Sequence, residues 1–572
     1  MPDGTRELIS FRLDQLPPAT QELLEAASAA GEAFPTQVLA AAIERSCEDV
    51  ESECVRLGRA ALFLQDGGDV EWPDGSRGRQ HSFRHALYRQ VLDSRVTPTR
   101  RQLLHRRIAA RLESGYGARA GEIAGQLSFH YEHAGELLRA VEHIAVLVPQ
   151  AYARRATQEA EALTAHAVTL LKRLPPSPQR QQQLLHATLG YGLALGASRG
   201  VGSVEVAQVF SDARALGQSI PTSPEHVMSL VSLALGALMN GQLQELHRLG
   251  EELLALAGPE APPLTAICAH LAVGTARLYL GEVDAAIEHL QRGRALLEKE
   301  PVAIEATGVA EIYYGPRVGL DTALGTALIL AGHSDSGWAL IMAGVELAKR
   351  MEGPWYHGVA LAAASVSAIF RGDPAQAKRW SAELLAYSEE HGLAFWPDMQ
   401  RVHLAWVAVV ETRDPARIDA LVQAIDDFRS IGRLVLPRAC SLLADAYLRF
   451  GRLDDASRVL DEAFDPQWEE RLYYAELWRQ RAAVVLARPT KKKSTQRDEA
   501  EQLLRRALET ANTQGARLFS LRVTVDLCRL WQTAGKTNQA RRQLSEAIAG
   551  FHEGFSEVDR RAANELLTQL TG

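Results

Sequence analysis

LYLGEVDAAIEHL, residues 278–290, reads as the end of one apolar helix, a turn at Gly281 and the start of a second, amphipathic helix. The same unit returns as LMNGQLQELHRL at 238–249, LILAGHSDSGWAL at 328–340, IFRGDPAQAKRW at 369–380, VETRDPARIDAL at 410–421, LRFGRLDDASRVL at 448–460 and WQTAGKTNQARRQL at 531–544. Most intervals are roughly forty residues, a spacing that belongs to stacked helix pairs. The wide gap between Gly451 and Gly535 leaves room for one more turn around the loop at 491–496. Glycine closes the first helix because it enters the left-handed conformation cheaply, and the Asp or Pro that follows opens the next helix. Alanine recurs in the second helices (DAAIEHL, PAQAKRW, LDDASRVL), where a small side chain lets neighbours approach closely.

One such helix pair cannot bury its apolar face alone, so the repetition predicts an all-α solenoid in which each hairpin covers the next. The pattern resembles the tetratricopeptide family, with helices longer than that family's norm of about 34 residues per repeat. The expected organisation is a winged-helix-like domain over 1–95, basic linker helices and the first helical repeats over 96–175, and a tetratricopeptide-like, right-handed α-solenoid over 176–572. LPPSP at 174–178 and GASRGVG at 196–202 interrupt the pattern, and the continuity of the superhelix is open there.

At 572 residues the chain exceeds a single compact core, and its 47% hydrophobic but 6% aromatic composition is that of an Ala/Leu-rich helical protein. Mean hydropathy is -0.13 and no apolar run has the length of a membrane span. The start, MPDGTRELISFRLDQL, has no apolar signal-peptide core, so a cytoplasmic location is expected. Cys47, Cys54, Cys268, Cys440 and Cys528 are scattered without CxxC pairing, which predicts reduced thiols, no disulfide and no zinc site. A net charge of -8 gives no global attraction to nucleic acid.

Residues 8–83 follow a different rhythm. A helix over Leu13, Leu16, Leu23 and Leu24 is interrupted by Pro17-Pro18, Pro35 opens a second, and Ser46 is the expected N-cap of a third, with Asp49 completing a capping box. An apolar run at 61–65, a turn at Gly67-Gly68 and a returning strand at 80–83 then give three helices and a hairpin, the order of a winged helix. Its third helix carries Glu48, Asp49, Glu51 and Glu53, which would face phosphates, so direct DNA reading through it is disfavoured and a protein-facing role preferred.

From 77 to 111 the charge reverses. Arg77, Arg79, Arg84, Arg89, Arg95, Arg100, Arg101, Arg106, Arg107 and Arg111 stand against the single acid Asp93. Arg77, Arg79, Arg84, His85, Arg89, Arg100, Arg101, Arg106 and Arg107 form the candidate interdomain or anion surface. The competing reading is a solvated arginine-rich helix face balanced by the acids of the domain before it.

FRHALYRQVLDSRVTPTRRQLLHRRIAARLE at 83–113 and AGEIAGQLSFHYEHAGELLRAVEHI at 120–144, with LDQLPPATQELLEAASAAGEAFP upstream, resemble bacterial signal-transduction ATPases with numerous domains. The resemblance is to the region joining winged helix to helical repeats, including predicted ATPases fused to adenylate or guanylate cyclase domains and the related MalT-like regulators. It continues through SRGVGSVEVAQVFSDARALG and RLWQTAGKTNQAR, covering nearly the whole chain. It implies an ATPase module ahead of the winged helix, so Met1 resembles an internal boundary, with the ATPase domain acting in cis or in trans.

No credible catalytic motif is read here. Gly535-Lys536-Thr537 lacks the earlier glycine of a P-loop and sits on a repeat turn. GASRG at 196–200 places Ser198 after a helix rather than a strand, against a nucleophile elbow. His81 with His85, four apart on one helical face, and His130 with His133 lack a third ligand. Neither a cofactor nor a metal is expected.

Aromatic pairs recur at similar phase in the repeats: Tyr313-Tyr314, Trp355-Tyr356, Phe395-Trp396 and Tyr473-Tyr474, with Trp478 one turn on. First helices line the concave surface of such solenoids. Tyr313, Tyr314, Arg317, Trp355, Tyr356, Trp396, Arg401, Tyr474 and Trp478 are therefore the candidate partner-binding residues, with His357 a further polar anchor. Because adjacent helical residues point about 100° apart, one ring of each pair is expected in the helix–helix core. The leading functional expectation is a non-catalytic sensor and scaffold that holds a protein or small effector in the groove and relays it to a nucleotide switch. The alternatives are a MalT-like transcriptional regulator, acting on DNA directly or through a partner, and part of an ATPase or nucleotide cyclase whose catalytic domains lie outside this chain.

Overall fold

The computed structural model describes residues 3–60, 62–154, 156–199, 203–218, 224–258, 261, 263–299, 310–351, 354–393, 396–431, 434–554 and 557–571, with the side chains at 3–5, 197, 198, 224, 310–314, 430 and 431 outside the description. The chain divides into two compact units, 1–194 and 195–572. That division falls inside the helix Pro178–Arg199, within the interval where the repeat pattern is interrupted.

The first unit begins with the helices Asp3–Asp14 and Pro18–Ala30, a short strand β1 (Ala33–Pro35), and the helices Thr36–Ile43 and Cys47–Arg59. Ser46 caps the last of these as expected, its Oγ accepting from the Asp49 amide at 3.1 Å. Strands β2 (Leu64–Glu71) and β3 (Arg77–Phe83) complete an antiparallel sheet of order β1-β3-β2.

Two expectations fail in this hairpin. Gly67-Gly68 is not its turn but a register shift within β2, between Asp66 and Asp69, with Gly68 at φ 89. The turn is Trp72-Pro73-Asp74-Gly75-Ser76, closed by the Trp72 amide donating to the Ser76 carbonyl at 2.9 Å and by Asp74 accepting from the Ser76 amide at 2.9 Å. Buried Trp72 pins it, and the Arg111 guanidinium lies 4.5 Å from the Trp72 ring centre. His81 is likewise not on a helix face with His85. It sits in β3, buried beside Thr36 Oγ1 at 3.3 Å, whereas His85 precedes the helix Ala86–Arg95.

The second unit is an α-solenoid of tetratricopeptide-like helix hairpins. First helices Pro224–Met239, Pro263–Leu280, Ala310–Leu330, Pro354–Phe370, Trp396–Thr412 and Leu436–Arg449 alternate with second helices such as Leu243–Leu256, Val283–Lys299, Ser334–Ala348 and Pro374–His391. The turn glycines legible in sequence, Gly241, Gly281, Gly332, Gly372, Gly451 and Gly535, all have positive φ, and Arg413 takes that conformation before Asp414. The local logic is plain in Pro374–His391. Asp373 accepts from the Gln376 amide at 3.0 Å, proline occupies the first turn, Gly392 ends the helix at φ 68, and Ala377, Trp380, Ser381, Leu384 and Ser388 form its buried stripe.

Later repeats reach back to the turns of earlier ones. The amides of Arg471 and Leu472 donate to the Tyr279 carbonyl at 2.9 and 3.2 Å, the Val283 amide donates to the Gln514 carbonyl at 3.0 Å, and Gln514 Nε2 donates to the Arg471 carbonyl at 2.7 Å. A Cβ on Gly281 would stand 2.6 Å from Gln514 Nε2, so that turn needs glycine both for its φ of 84 and for this approach. Further along, Arg371 pairs with Glu557 at 2.6 Å and Arg522 donates to the Phe370 carbonyl at 3.0 Å. Around Arg522 lies a half-buried charge network: Arg522 with Asp559 at 2.6 Å, and Arg479 with buried Glu476 and with Asp526, each at 2.6 Å. Burial alone would raise Glu476, but Arg479 and Arg522 outweigh it and hold the carboxyl at about 2. Among the described residues no helix is long and apolar enough to cross a membrane.

Candidate functional site

Glycine and alanine on the first helices thin the inner wall of the second unit and leave an open, mostly apolar cavity of about 260 Å³. Six first helices contribute to it: Val231 and Leu238, Leu271 and Tyr279, Gly319 and Thr326, Trp355, Tyr356 and Ala363, Trp396 and Met399, and finally Arg438. The aromatic corner is built by glycines. A Cβ on Gly315 would meet the Tyr356 ring at 2.0 Å, and one on Gly358 would meet Trp396 Nε1 at 2.9 Å, so these rings lie flat against neighbouring backbones. Trp355 and Trp396 stand 5.6 Å apart, tilted by 46°.

The polar groups of the wall are mostly spoken for. Thr322 and Thr326 Oγ1 donate to helix carbonyls one turn back, at 2.7 and 2.9 Å. Arg438 is different. It is 4% exposed, it lies in the first turn of Leu436–Arg449, and its Nη2 meets Met399 Sδ at 3.1 Å. Leu434 and Val435, which lead into that helix, also line the cavity, and Val435 holds a left-handed φ of 63 that is strained for a β-branched residue. The helix N-terminus therefore adds its partial positive charge on the same side. An influence of opposite sign comes from Glu470, itself 4% exposed, with neither carboxylate oxygen hydrogen-bonded among the described residues. Burial pushes Glu470 up to about 7 against the lowering pull of Arg438 and Arg471. Below that pH it is mainly neutral, and above it its carboxylate charge acts on Arg438.

Of the candidate partner-binding residues, Trp355, Tyr356 and Trp396 line this cavity; both rings of the 355–356 pair face it half-buried, against the expectation that one of them would be taken up by the helix–helix core. The side chains of Tyr313 and Tyr314 lie outside the described residues, as does Phe395. Arg317 is turned to Asp321 at 2.7 Å, and Arg401 to Asp398 at 2.6 Å and Glu389 at 3.3 Å. Tyr474 and Trp478 sit a repeat further on, packed against Phe464 with ring centres 5.2 and 4.3 Å away, and Arg506 stacks on Trp478 at 3.9 Å. Their neighbour Tyr473 is buried against Phe370 and Phe519. His357 packs on Tyr387, ring centres 4.5 Å apart. Arg438 was not among the sequence candidates. Its signal, an arginine directly after the proline of a first helix (LPRAC), is visible only when the repeat after Trp396 is included.

In the first unit, most of the arginine segment has acidic partners. Arg77 meets Glu71 at 3.5 Å, Arg79 meets Asp66 at 2.5 Å, Arg101 meets Asp93 at 3.2 Å, Arg106 meets Glu136 at 2.8 Å and Arg107 meets Glu44 at 2.7 Å. Arg100 pairs with Glu22, and Arg89 donates to the Ser28 carbonyl at 3.3 Å. Arg84 and His85 are exposed, the His85 ring lying 5.8 Å from that of Tyr88. His130 pairs with His105, Nδ1 to Nδ1 at 2.8 Å, and burial lowers both, to about 4 and about 3. Lys536 sits on its repeat turn with Nζ 3.2 Å from Glu501. Among the described residues no group of three or more His, Cys, Asp or Glu is placed to hold a metal ion. Ser198 lies outside the described side chains.

No protein-family model matches the chain. An uncharacterized protein of Rhizobium meliloti (strain 1021) is 23% identical over 519 residues, covering 90% of this chain and 49% of its own length, so the chain spans about half of this curated relative. Among solved structures, a Rap protein complexed with competence and sporulation factor shares 14% identity at a TM-score of 0.39, covering 69% of this chain and 99% of its own. A signal transduction ATPase with numerous domains and a tetratricopeptide repeat sensor, from Pyrococcus horikoshii, shares 11% at a TM-score of 0.28, covering 99% of this chain and 67% of its own. Yeast Tom70 shares 13% at 0.28, covering 82% of this chain and 92% of its own.

Proposed function

We propose that this chain is a non-catalytic sensor and scaffold whose second unit binds an effector in the groove of its first helices. The observation that carries the reading is the apolar cavity with one buried cation in its wall, a combination of broad apolar contact and a single orienting charge that is typical of ligand sites. The finer proposal, drawn from the sequence resemblance, is that occupancy is relayed to the nucleotide switch of an ATPase domain in cis or in trans, with the winged-helix-like region and its arginine segment as the relay surface. A physical route starts at Tyr279. Its side chain faces the groove while its carbonyl holds the amides of Arg471 and Leu472, so a ligand that favours one position of this helix end changes the grip of the later repeats. Such a relay operates only if the effector binds the two arrangements with different affinity.

The test is binding of the neutral apolar fluorophore N-phenyl-1-naphthylamine, followed by its blue shift. The wild-type protein is expected to bind it, and Ala363→Phe and Thr275→Phe, both half-buried on the groove wall, are expected to abolish binding with the circular dichroism spectrum unchanged. Absence of binding by the wild type, or equal binding by both variants, overturns the groove reading.

A further inference from the structure

We propose that the groove's ligand is a carboxylate carried on an unbranched apolar chain, its head on the Arg438 guanidinium and its chain along the first helices past Trp396 and Trp355. This rests on the groove reading above and adds the chemical class of what is bound.

The head group follows from charge complementarity. Arg438 is buried, it lines the cavity, and among the described residues its guanidinium is met by a thioether sulfur rather than by a carboxylate. A guanidinium out of water without an anion is costly, and a planar carboxylate matches its fork with two parallel hydrogen bonds. The start of Leu436–Arg449, where Arg438 sits, favours negative charge for the same reason that helix N-termini bind anions.

The body follows from what the rest of the wall lacks. Beyond Arg438, the cavity is faced mainly by aliphatic and aromatic side chains; the hydroxyls of Thr322 and Thr326 already donate to their own helix, which leaves Thr275 and the tyrosine hydroxyls of Tyr279 and Tyr356 as the further polar groups of the wall. An extended peptide laid here would bring an amide and a carbonyl with every residue, more than these few hydroxyls can pair, at a cost for each one left over. A hydrocarbon chain brings none. The volume of about 260 Å³ lies at the small end for ligand sites, suited to a medium-length chain rather than a folded partner.

The experiment is displacement of N-phenyl-1-naphthylamine by decanoate, by its uncharged isostere decanamide and by the tripeptide Leu-Leu-Phe with a free C-terminus. It uses the full chain and its Arg438→Met and Arg438→Lys variants. Decanoate is expected to displace the probe from the wild type at a concentration lower than decanamide by at least about tenfold, the worth of a charge-assisted pair. Arg438→Met is expected to keep the probe and lose the preference, and Arg438→Lys to retain part of it. Equal displacement by acid and amide, a preference that survives in Arg438→Met, or displacement by the tripeptide but not by decanoate overturns the proposal while leaving the groove reading in place. Failure of the probe to bind the wild type overturns the groove reading itself and this proposal with it.

Discussion

Residues 77–111 and the single residue Arg438 are opposite cases of the same side chain. The first is the densest run of arginine in the sequence, yet once folded Arg77, Arg79, Arg100, Arg101, Arg106 and Arg107 each lie against an acid from the surrounding elements. Arg438 stands alone between Pro437 and Ala439 in an apolar helix, and it is the buried cation of the groove wall. Charge density along a chain therefore says little about charge left over in space. What matters is whether folding brings a counter-ion, and whether water is there to replace one that is missing.

The widest break in this contrast is expected where a largely enclosed cation does have partners. Arg522→Ala would take the partner from Asp559 and one of two arginines from Glu476, at a cost of about 3 kcal/mol, the lower end for a buried pair because the side chain is 20% exposed, read as a fall in the urea midpoint followed by tryptophan fluorescence. A cost under 1 kcal/mol would mean that water already reaches this network.

Glu470 gives a pH test of the opposite sign to an ordinary ion-paired carboxylate. Its folded value, about 7, lies above the ordinary 4.5, so the folded state keeps a proton that the unfolded chain releases. Stability from this group is therefore full below pH 4.5, falls as the pH rises from 4.5 to 7, and is flat above, the whole change being about 3 kcal/mol. Relative to wild type, Glu470→Gln is expected to gain about 2 kcal/mol of this between pH 5 and pH 7.5 in urea unfolding. The groups facing Glu470 are Arg438, Arg471, Tyr279, Tyr473, Tyr474 and Cys440, and a difference that stays constant with pH would mean that Arg438 holds the carboxylate ionised.

Arg438→Met sharpens the comparison directly. In the ligand-free protein, removing a buried cation that pairs with no carboxylate among the described residues is expected to raise stability by about 1–2 kcal/mol, where removal of a paired buried arginine lowers it. A loss instead of a gain, measured by the same unfolding curve, would show that the guanidinium has a compensating partner. The smallest effect is expected at Arg77, exposed and 3.5 Å from an equally exposed Glu71. Arg77→Gln should shift stability by less than about 0.5 kcal/mol, and a larger shift would give the segment a structural role beyond its ion pairs.

The repeat architecture was legible because each hairpin states its own turn. Glycines at 241, 281, 332, 372, 451 and 535 mark positive φ, and Asp373 and Ser46 mark helix starts through hydrogen bonds within three residues. The misread hairpin has a local cause as well. Gly67-Gly68 and Asp74-Gly75 both carry turn chemistry, and only the burial of Trp72 selects the second. Gly515, at φ 70 and with its missing Cβ filled by Asp284, closes a turn that was not singled out, because its constraint comes from a helix more than two hundred residues away.

The site divides in the same way. Trp355, Tyr356 and Trp396 were readable as groove residues from their phase on first helices, since a period near forty residues places them on the same wall. Arg317 and Arg401, chosen for lying near those rings in sequence, turn instead to Asp321 and Asp398 on their own helices, where three- and four-residue spacing makes a pair available at once. By itself the sequence determined the helix pairs and their turns, because those depend on contacts a few residues apart. Only the tertiary structure decided which arginines are neutralised, which turns must admit a distant side chain and where the groove carries its charge. Those depend on counter-ions and backbones that stacking brings together from remote parts of the chain.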